Sequence, residues 1–380
     1  MRVLYFSRDY TPHDHRFLFA LAGTDYDIYF LRLERGKRQL EDRVLPEKVK
    51  LIRWQGGNSP FRWRDVPAMA INLRRVLGQL KPDLIHAGPV QSAAFLAALV
   101  DRGPLVCMSW GSDLLKDADR SFVYRWITRF TLSRSTVLVG DCQAVQRKAA
   151  ALGFPVERVF LFPWGVDLDH FSPLASAHPP RETTPTSDLR TRLGWQNSFV
   201  ILSLRSWEPI YGVDLVVRAF ATCAAELPEL RLLLLGGGSQ ASLLQSIIHQ
   251  YQLHDKVYLG GQVNQVDLPR YYRAADLYVS ASYSDGSSVS LMEALACAKP
   301  VLVSDIPGNR EWITPGTQGW MFPAGDVQAL ANGIRRAVRK RETLSAMSLA
   351  SRRLAEERAD WNKNFKVLVH AYQTAMQLKR

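Results

Sequence analysis

Residues 280–293 read S-A-S-Y-S-D-G-S-S-V-S-L-M-E and run straight into A-L-A-C-A-K-P-V-L-V-S-D. An apolar strand over 276–282 stops at a small, polar loop, and the pattern predicts a helix from about Ser288 that carries an acid, Glu293, about one turn in. A helix that begins in such a loop leaves the N–H groups of its first turn without partners inside the helix, and these attract anions. Gly286, Ser287 and Ser288 supply N–H groups of this kind. Asp285 and Glu293, with seven residues between them, place one carboxylate just before the helix and one just inside it. Phosphate and sugar hydroxyls together suit this arrangement, and a sugar nucleotide carries both.

On either side of this stretch, short apolar runs alternate with helical patterns. In the first half, strands are expected at 2–6, 27–31, 81–87, 104–110, 135–140 and 158–163, with helices at 66–80 and from Gln91. A second series starts at 199–205 and continues through 231–238, 256–261, 276–282 and P-V-L-V-S-D. Alternation of this type specifies doubly wound parallel sheets, which bind ligands at the carboxyl ends of their strands. The expected fold class is α/β, with two Rossmann-like domains facing a cleft. The boundaries are 1–170 for an acceptor-side domain, 171–195 for a Pro/Ser/Thr-rich linker and 196–355 for a donor domain. Residues 356–380 form a closing helix, expected to pack back on the first domain.

The bulk numbers narrow the class. A chain of 380 residues exceeds one ordinary core, and 47% hydrophobic with 22% charged residues is globular composition. The longest uncharged apolar run, 93–100, is far below the ~20 residues of a membrane span. The opening strand is too short for a signal segment and ends at Arg8 and Asp9. Cys107, Cys142, Cys223 and Cys297 form no C-x-x-C pair, so neither zinc nor a disulfide framework is indicated and a reducing cytoplasm fits. The net charge of +12 is dispersed, with clusters at Arg32, Arg35, Lys37 and Arg38, at F-R-W-R over 61–64, and at Arg120, Arg125, Arg129 and Arg134. The last cluster interleaves with Phe122, Trp126, Ile127 and Phe130. It reads either as a solvated helix face or as a basic, aromatic face for anionic lipid. The dispersion argues against nucleic acid as a partner.

Two further motifs are weaker alone. Gly236–Gly238 follow a strand, but position 241 is Ala where a dinucleotide fingerprint has its third glycine, so a tight strand-to-helix turn is the better reading. Arg205 ends a strand in S-L-R-S-W-E-P-I-Y-G-V-D; it reads either as a bidentate phosphate ligand or as a surface arginine paired with Glu208.

Taken in order, these segments resemble family-4 glycosyltransferases of the GT-B fold. The resemblance runs through Arg205 with Gly212 to Asp214, G-G-Q-V over 260–263, and D-L-P-R-Y-Y-R-A-A-D-L-Y-V-S-A-S. It continues in the acid pair Asp285 and Glu293, and P-W-G-V-D-L-D-H-F-S-P over 163–173 resembles the segment closing the first domain. It implies retaining, metal-independent transfer from a nucleotide sugar, most commonly a UDP-sugar such as UDP-glucose or UDP-GlcNAc, to a glycan or lipid-linked acceptor. Glu293 would accept from both ribose hydroxyls, and Asp285 would hold hydroxyls of the transferred sugar. Arg205 and the N–H groups from Ser287 through Val289 to Ser290 would hold the diphosphate, with Val263 near the base. No cofactor beyond the nucleotide sugar and no metal is implied. A sugar-nucleotide epimerase on the same scaffold and a non-catalytic binding subunit are the rivals.

This chain departs from the family pattern in several places. Tyr211 stands where the family has Lys, and Arg16 and Arg310 are candidate replacements for that cation. The first acid is Asp285, one methylene shorter than the family's Glu. Trp110 in S-W-G-S-D stands where the family often has His, which leaves Asp113 as the nearest polar group. Residues 10–18, read as a loop, lack the family's glycine pair and offer His13, Asp14, His15 and Arg16 instead. His86, at the carboxyl end of its strand, is a further catalytic candidate whose other reading is a buried imidazole bonded to backbone.

Overall fold

The computed structural model describes residues 1–34, 41, 43–58, 60–173 and 187–378. Arg35, Lys37, Arg38 and positions 174–186 of the Pro/Ser/Thr-rich stretch lie outside the described residues. The chain divides into two compact units, Met1–Phe162 together with the chain from Phe365, and Pro163–Asn364.

The first unit is built on a seven-stranded sheet. Its strands are β1 (Arg2–Ser7), β2 (Asp27–Arg32), β3 (Val49–Leu51), β4 (Leu84–Gly88), β5 (Leu105–Met108), β6 (Val137–Gly140) and β7 (Val159–Leu161), in the order β3-β2-β1-β4-β5-β6-β7. The second unit carries six strands, β8 (Phe199–Ser203), β9 (Leu230–Leu235), β10 (Val257–Gly261), β11 (Leu277–Ser280), β12 (Val301–Ser304) and β13 (Gly319–Phe322), in the order β10-β9-β8-β11-β12-β13. Every pairing in both sheets is parallel. Parallel strands covered by helices on both faces read as unbroken apolar runs. Accordingly, β8 (F-V-I-L-S) is buried at all five positions. Both units are thus Rossmann-like, as the alternation predicts.

The order of each sheet reverses once, between β1 and β4 in the first unit and between β8 and β11 in the second. Neighbouring crossovers leave these points in opposite directions and open a crevice at the carboxyl ends of the two strands. Arg205 follows β8 and Asp285 follows β11, so the second switch point collects the residues that the sequence pattern singles out.

Two local expectations change. Residues 10–18 are mostly a helix, Pro12–Ala22, rather than a loop. Thr11 caps it: Asp14 N–H donates to the Thr11 hydroxyl while Asp14 accepts from the Thr11 N–H at 2.9 Å, and Pro12 fills the first helical position. The helix expected from Gln91 begins at Ala93, because Gln91 is held elsewhere: its amide donates to Asp113 O and Thr128 Oγ1. The helix Val66–Leu80 lies where the periodicity places it.

Candidate functional site

β11 ends at Ser280, the loop passes through Asp285, Gly286 and Ser287, and Ser288 opens the helix Val289–Ala296. Ser288 sits in extended backbone, and its side chain makes no cap hydrogen bond to the helix. It is turned instead to Arg205, whose Nη1 donates to Ser288 Oγ at 2.7 Å and to Ser290 Oγ at 3.1 Å. Arg205 Nη2 donates to Asp285 Oδ2 at 2.6 Å. The Arg205 guanidinium lies over the Tyr211 ring, 4.3 Å from its centre.

Arg205 is therefore not the surface arginine paired with Glu208. Its partner is Asp285, and the two side chains are only 12% and 18% exposed. Glu208 bonds the N–H and hydroxyl of Ser239 instead. Burial raises the Asp285 carboxyl above its usual range, against the pull of Arg205. Burial also works against the charge on Arg205, but Asp285 and the surrounding tyrosines outweigh it and move its pKa up. The guanidinium is a permanent cation with one carboxylate, two hydroxyls and an aromatic face around it.

Gly286 does not offer a free donor, because its N–H bonds Asp285 Oδ1 at 3.1 Å. The Ser287 hydroxyl accepts from the Trp312 indole at 3.1 Å. Of the N–H groups nominated for an anion, those at the start of the helix, from Val289 and Ser290, have no acceptor within the helix by its geometry. Glu293, one turn further on, is 2% exposed, and Oε2 accepts from the Tyr272 hydroxyl at 2.7 Å. The Tyr278 hydroxyl and Ser290 Oγ lie 2.8 Å apart.

Two glycines allow this packing. Gly212 sits at φ +57°, and a Cβ there would lie 2.4 Å from Ala281 O, so the turn after Tyr211 closes directly on the end of the β11 segment. A Cβ on Gly308 would meet Gly286 O at 2.3 Å, so the turn Pro307–Arg310 supports the loop backbone from beneath. The run Gly236–Gly238 serves a related purpose. Cβ atoms on Gly236 and Gly238 would strike Arg205 O and Trp207 O, each at 2.6 Å, so the run lets β9 pass close under the Arg205 loop. Val263 follows β10 on the same sheet and is half-buried.

The candidate cation Arg310 forms a bidentate pair with Asp305 on an exposed surface, at 2.6 and 3.0 Å. The group that meets the Arg205 charge from the Tyr211 position is an aromatic ring rather than a second cation.

In the first unit, His86 lies inside the core of β4, 1% exposed. Nε2 is 2.9 Å from Met108 S, and Nδ1 is 2.5 Å from the Tyr372 hydroxyl. A thioether only accepts, so Nε2 donates and Nδ1 accepts. Burial lowers its pKa to about 3, and the ring stays neutral. Of its two readings the buried imidazole holds, with Tyr372 and Met108 as partners in place of backbone. Asp113 is also interior: Oδ1 accepts from the Ser109 hydroxyl and from the N–H groups of Trp110 and Leu114, and Oδ2 accepts from the Val90 N–H. Four donors on one carboxylate make it the fastening of the S-W-G-S-D turn, and burial raises its pKa.

The His13 and Trp110 rings meet at a tilt of 46°, with centres 5.5 Å apart, both half-buried. His15 is buried, its Nδ1 2.6 Å from the Tyr10 hydroxyl, and burial lowers its pKa. Arg16 is half-buried on the same helix.

Sequence reasoning missed Tyr272, Tyr278 and Trp312. One signal was present for Tyr278, since a hydroxyl inside an otherwise aliphatic buried strand needs a partner.

Two Rossmann-like units, the second with an Arg–Asp–Ser cluster and a buried glutamate at its switch point, define the class: a GT-B protein. Residues 12–165 match the family model described as glycosyl transferase 4-like domain, and residues 186–354 match glycosyl transferases group 1. The chain belongs to the family-4 type of glycosyltransferases. A D-inositol 3-phosphate glycosyltransferase of Xylanimonas cellulosilytica is 29% identical over 229 residues, 59% of this chain and 53% of that protein. The match thus spans about half the length of that relative. A GDP-mannose-dependent alpha-(1-6)-phosphatidylinositol monomannoside mannosyltransferase of Mycolicibacterium smegmatis is 22% identical over 317 residues, 78% of this chain and 77% of that protein. Among solved structures, Anabaena HepE in complex with UDP-glucose superposes with a TM-score of 0.80 at 21% identity, covering 98% of this chain and all of that one. Sucrose-phosphate synthase from Thermosynechococcus elongatus gives 0.78 at 18% identity, covering 98% of both chains. At these identities the structures share the GT-B fold with this chain.

Proposed function

We propose that this protein transfers a sugar, with retention, from a nucleotide donor to a glycan or lipid-linked acceptor. The observation that carries this reading is the buried Arg205 guanidinium aimed at the start of the helix Val289–Ala296, with Glu293 buried one turn beyond. A diphosphate placed there meets a permanent cation and the positive end of a helix, and both act on the charge that builds as the diphosphate leaves. This supplies leaving-group stabilisation from the chain's own residues, so the reaction as proposed requires no metal. Glu293, held by Tyr272, is oriented to accept from the ribose hydroxyls, at about 1.5–3 kcal/mol for a charge-assisted bond. Asp285, free to leave Arg205 when the diphosphate takes its place, would accept from hydroxyls of the sugar.

A UDP-sugar is the donor we favour. HepE was solved with UDP-glucose, whereas the mannosyltransferase relative is named for GDP-mannose. A thermal-shift series with UDP-, GDP- and ADP-sugars tests the choice. Binding to the folded state at a hundredfold excess over Kd stabilises by about 2.7 kcal/mol. A shift with the UDP-sugars alone is expected. A shift with another nucleotide overturns the donor assignment, and no shift with any overturns the site. Release of an altered sugar nucleotide without acceptor would make the protein an epimerase.

A further inference from the structure

The first unit carries a face that the proposed transfer does not use. In the helix Phe122–Ser133, Ile127, Thr128, Thr131 and Leu132 are buried. The opposite stripe, spaced i, i+4, i+7, is Phe122, Trp126 and Arg129. Phe122 is 85% and Trp126 53% exposed, and Trp63, in the turn Trp63–Asp65, is 43% exposed. Ring contacts link Trp63 to Trp126 across the buried Phe95. Trp63 lies 6.0 Å from Tyr124 and 6.1 Å from Phe95, Phe95 lies 6.5 Å from Trp126, and Trp126 stacks on Phe130 at 5.5 Å.

Cations rim this surface. Arg62, Arg64, Arg120, Arg125 and Arg129 are all exposed. Arg64 reaches Asp65 at 3.9 Å, and Arg120 lies over the Tyr124 ring. Among the described residues, Arg62, Arg120, Arg125 and Arg129 form no ion pair. Fully burying an exposed side chain of the size of Phe122 stabilises by about 1.5–3 kcal/mol relative to leaving it in water. A patch of this kind marks a docking surface.

We propose that this face seats the protein on an anionic lipid bilayer surface. Charge complementarity selects the occupant. Exposed aromatic tips along a helix lying on the surface, with guanidinium groups at their rim, match the interface between acyl chains and acidic headgroups. No helix of the described residues is long and apolar enough to cross a membrane, so the contact lies on the bilayer and does not span it.

The test is sedimentation of the full chain with vesicles of pure phosphatidylcholine or with roughly a third phosphatidylglycerol, at low and high salt. The expected result is binding to the anionic vesicles only, weakened by salt. Each arginine near the surface contributes about 1 kcal/mol, or roughly fivefold, so Arg125→Ala with Arg129→Ala lowers the partition coefficient about 25-fold. Phe122→Ser with Trp126→Ser lowers it further while leaving nucleotide-sugar stabilisation intact, which shows that the variants fold. Absence of binding to anionic vesicles at low salt overturns the proposal. Partitioning that the arginine pair does not change overturns it too. Concentration-dependent self-association abolished by Trp126→Ser, without vesicle binding, assigns the face to a second copy of the chain instead.

Discussion

Replacing Tyr211 tests whether its ring supports the Arg205 guanidinium. Tyr211 lies with its ring centre 4.3 Å from the Arg205 guanidinium, and the Arg205 side chain is 12% exposed. A cation over an aromatic face contributes about 0.5–1 kcal/mol when exposed and about 2 kcal/mol when desolvated, and this pair is near the desolvated limit. Tyr211→Leu removes the π face and keeps the apolar bulk. About 2 kcal/mol lost from holding Arg205 toward Ser288 and Ser290 corresponds to roughly 30-fold weaker nucleotide-sugar binding. Tyr211→Phe keeps the ring and is expected to stay within about threefold of the parent. Isothermal titration with the preferred nucleotide sugar reads both variants, and the variant pair separates ring from hydroxyl. If Tyr211→Leu binds within twofold of the parent, or if Phe and Leu lose equally, the ring is not the support of Arg205 and the reasoning fails.

Two further predictions concern stability. Gly212→Ala forces a left-handed φ, at about 1–2 kcal/mol, and sets a Cβ 2.4 Å from Ala281 O, adding about 1–3 kcal/mol of overpacking; chemical denaturation is expected to show about 2–5 kcal/mol lost, and an unchanged midpoint refutes the close approach. His86 has a folded pKa of about 3 against an ordinary 6.5, so its contribution is complete above pH 6.5 and is lost as pH falls toward 3, at about 1.4 kcal/mol per pH unit. Asp14 runs the other way, because burial raises its carboxyl to about 6 and its proton stabilises the fold below that pH. The difference in stability between the parent and His86→Gln isolates the histidine and should shrink by that slope from pH 6.5 to 4. A difference independent of pH contradicts a neutral buried imidazole.

The strands of both sheets were legible where apolar runs stood between turn residues, and so was the helix that opens after Ser288. β3 and β13 were missed: each is a short edge strand, of three and four residues, with little periodic signal. The helix Pro12–Ala22 did carry a signal in T-P-H-D, a capping threonine, a proline at the first helical position and an acid three residues on. The nearest carboxylate in sequence to Arg205, Glu208, misled because ion pairing is decided by the sheet. β8 and β11 are neighbours, so Asp285, 80 residues away, is the one that arrives. His86 looked available at a strand end, but Tyr5, Phe17 and Tyr372 close over it, and Tyr372 comes from a helix nearly three hundred residues further along. Long-range burial of that kind leaves no local trace.

Nucleotide-sugar binding and sugar transfer by Glu293→Ala and Arg205→Ala, measured beside the parent on the same donor, test the proposed donor site most directly. Removing the bonds that Glu293 offers, at about 1.5–3 kcal/mol, predicts roughly ten- to over a hundredfold weaker donor binding. Removing Arg205 predicts a loss of turnover of about 10²–10³-fold, as for a preorganised group that stabilises departing charge. Transfer and donor binding that both survive within twofold in either variant would contradict the placement of the donor at this helix.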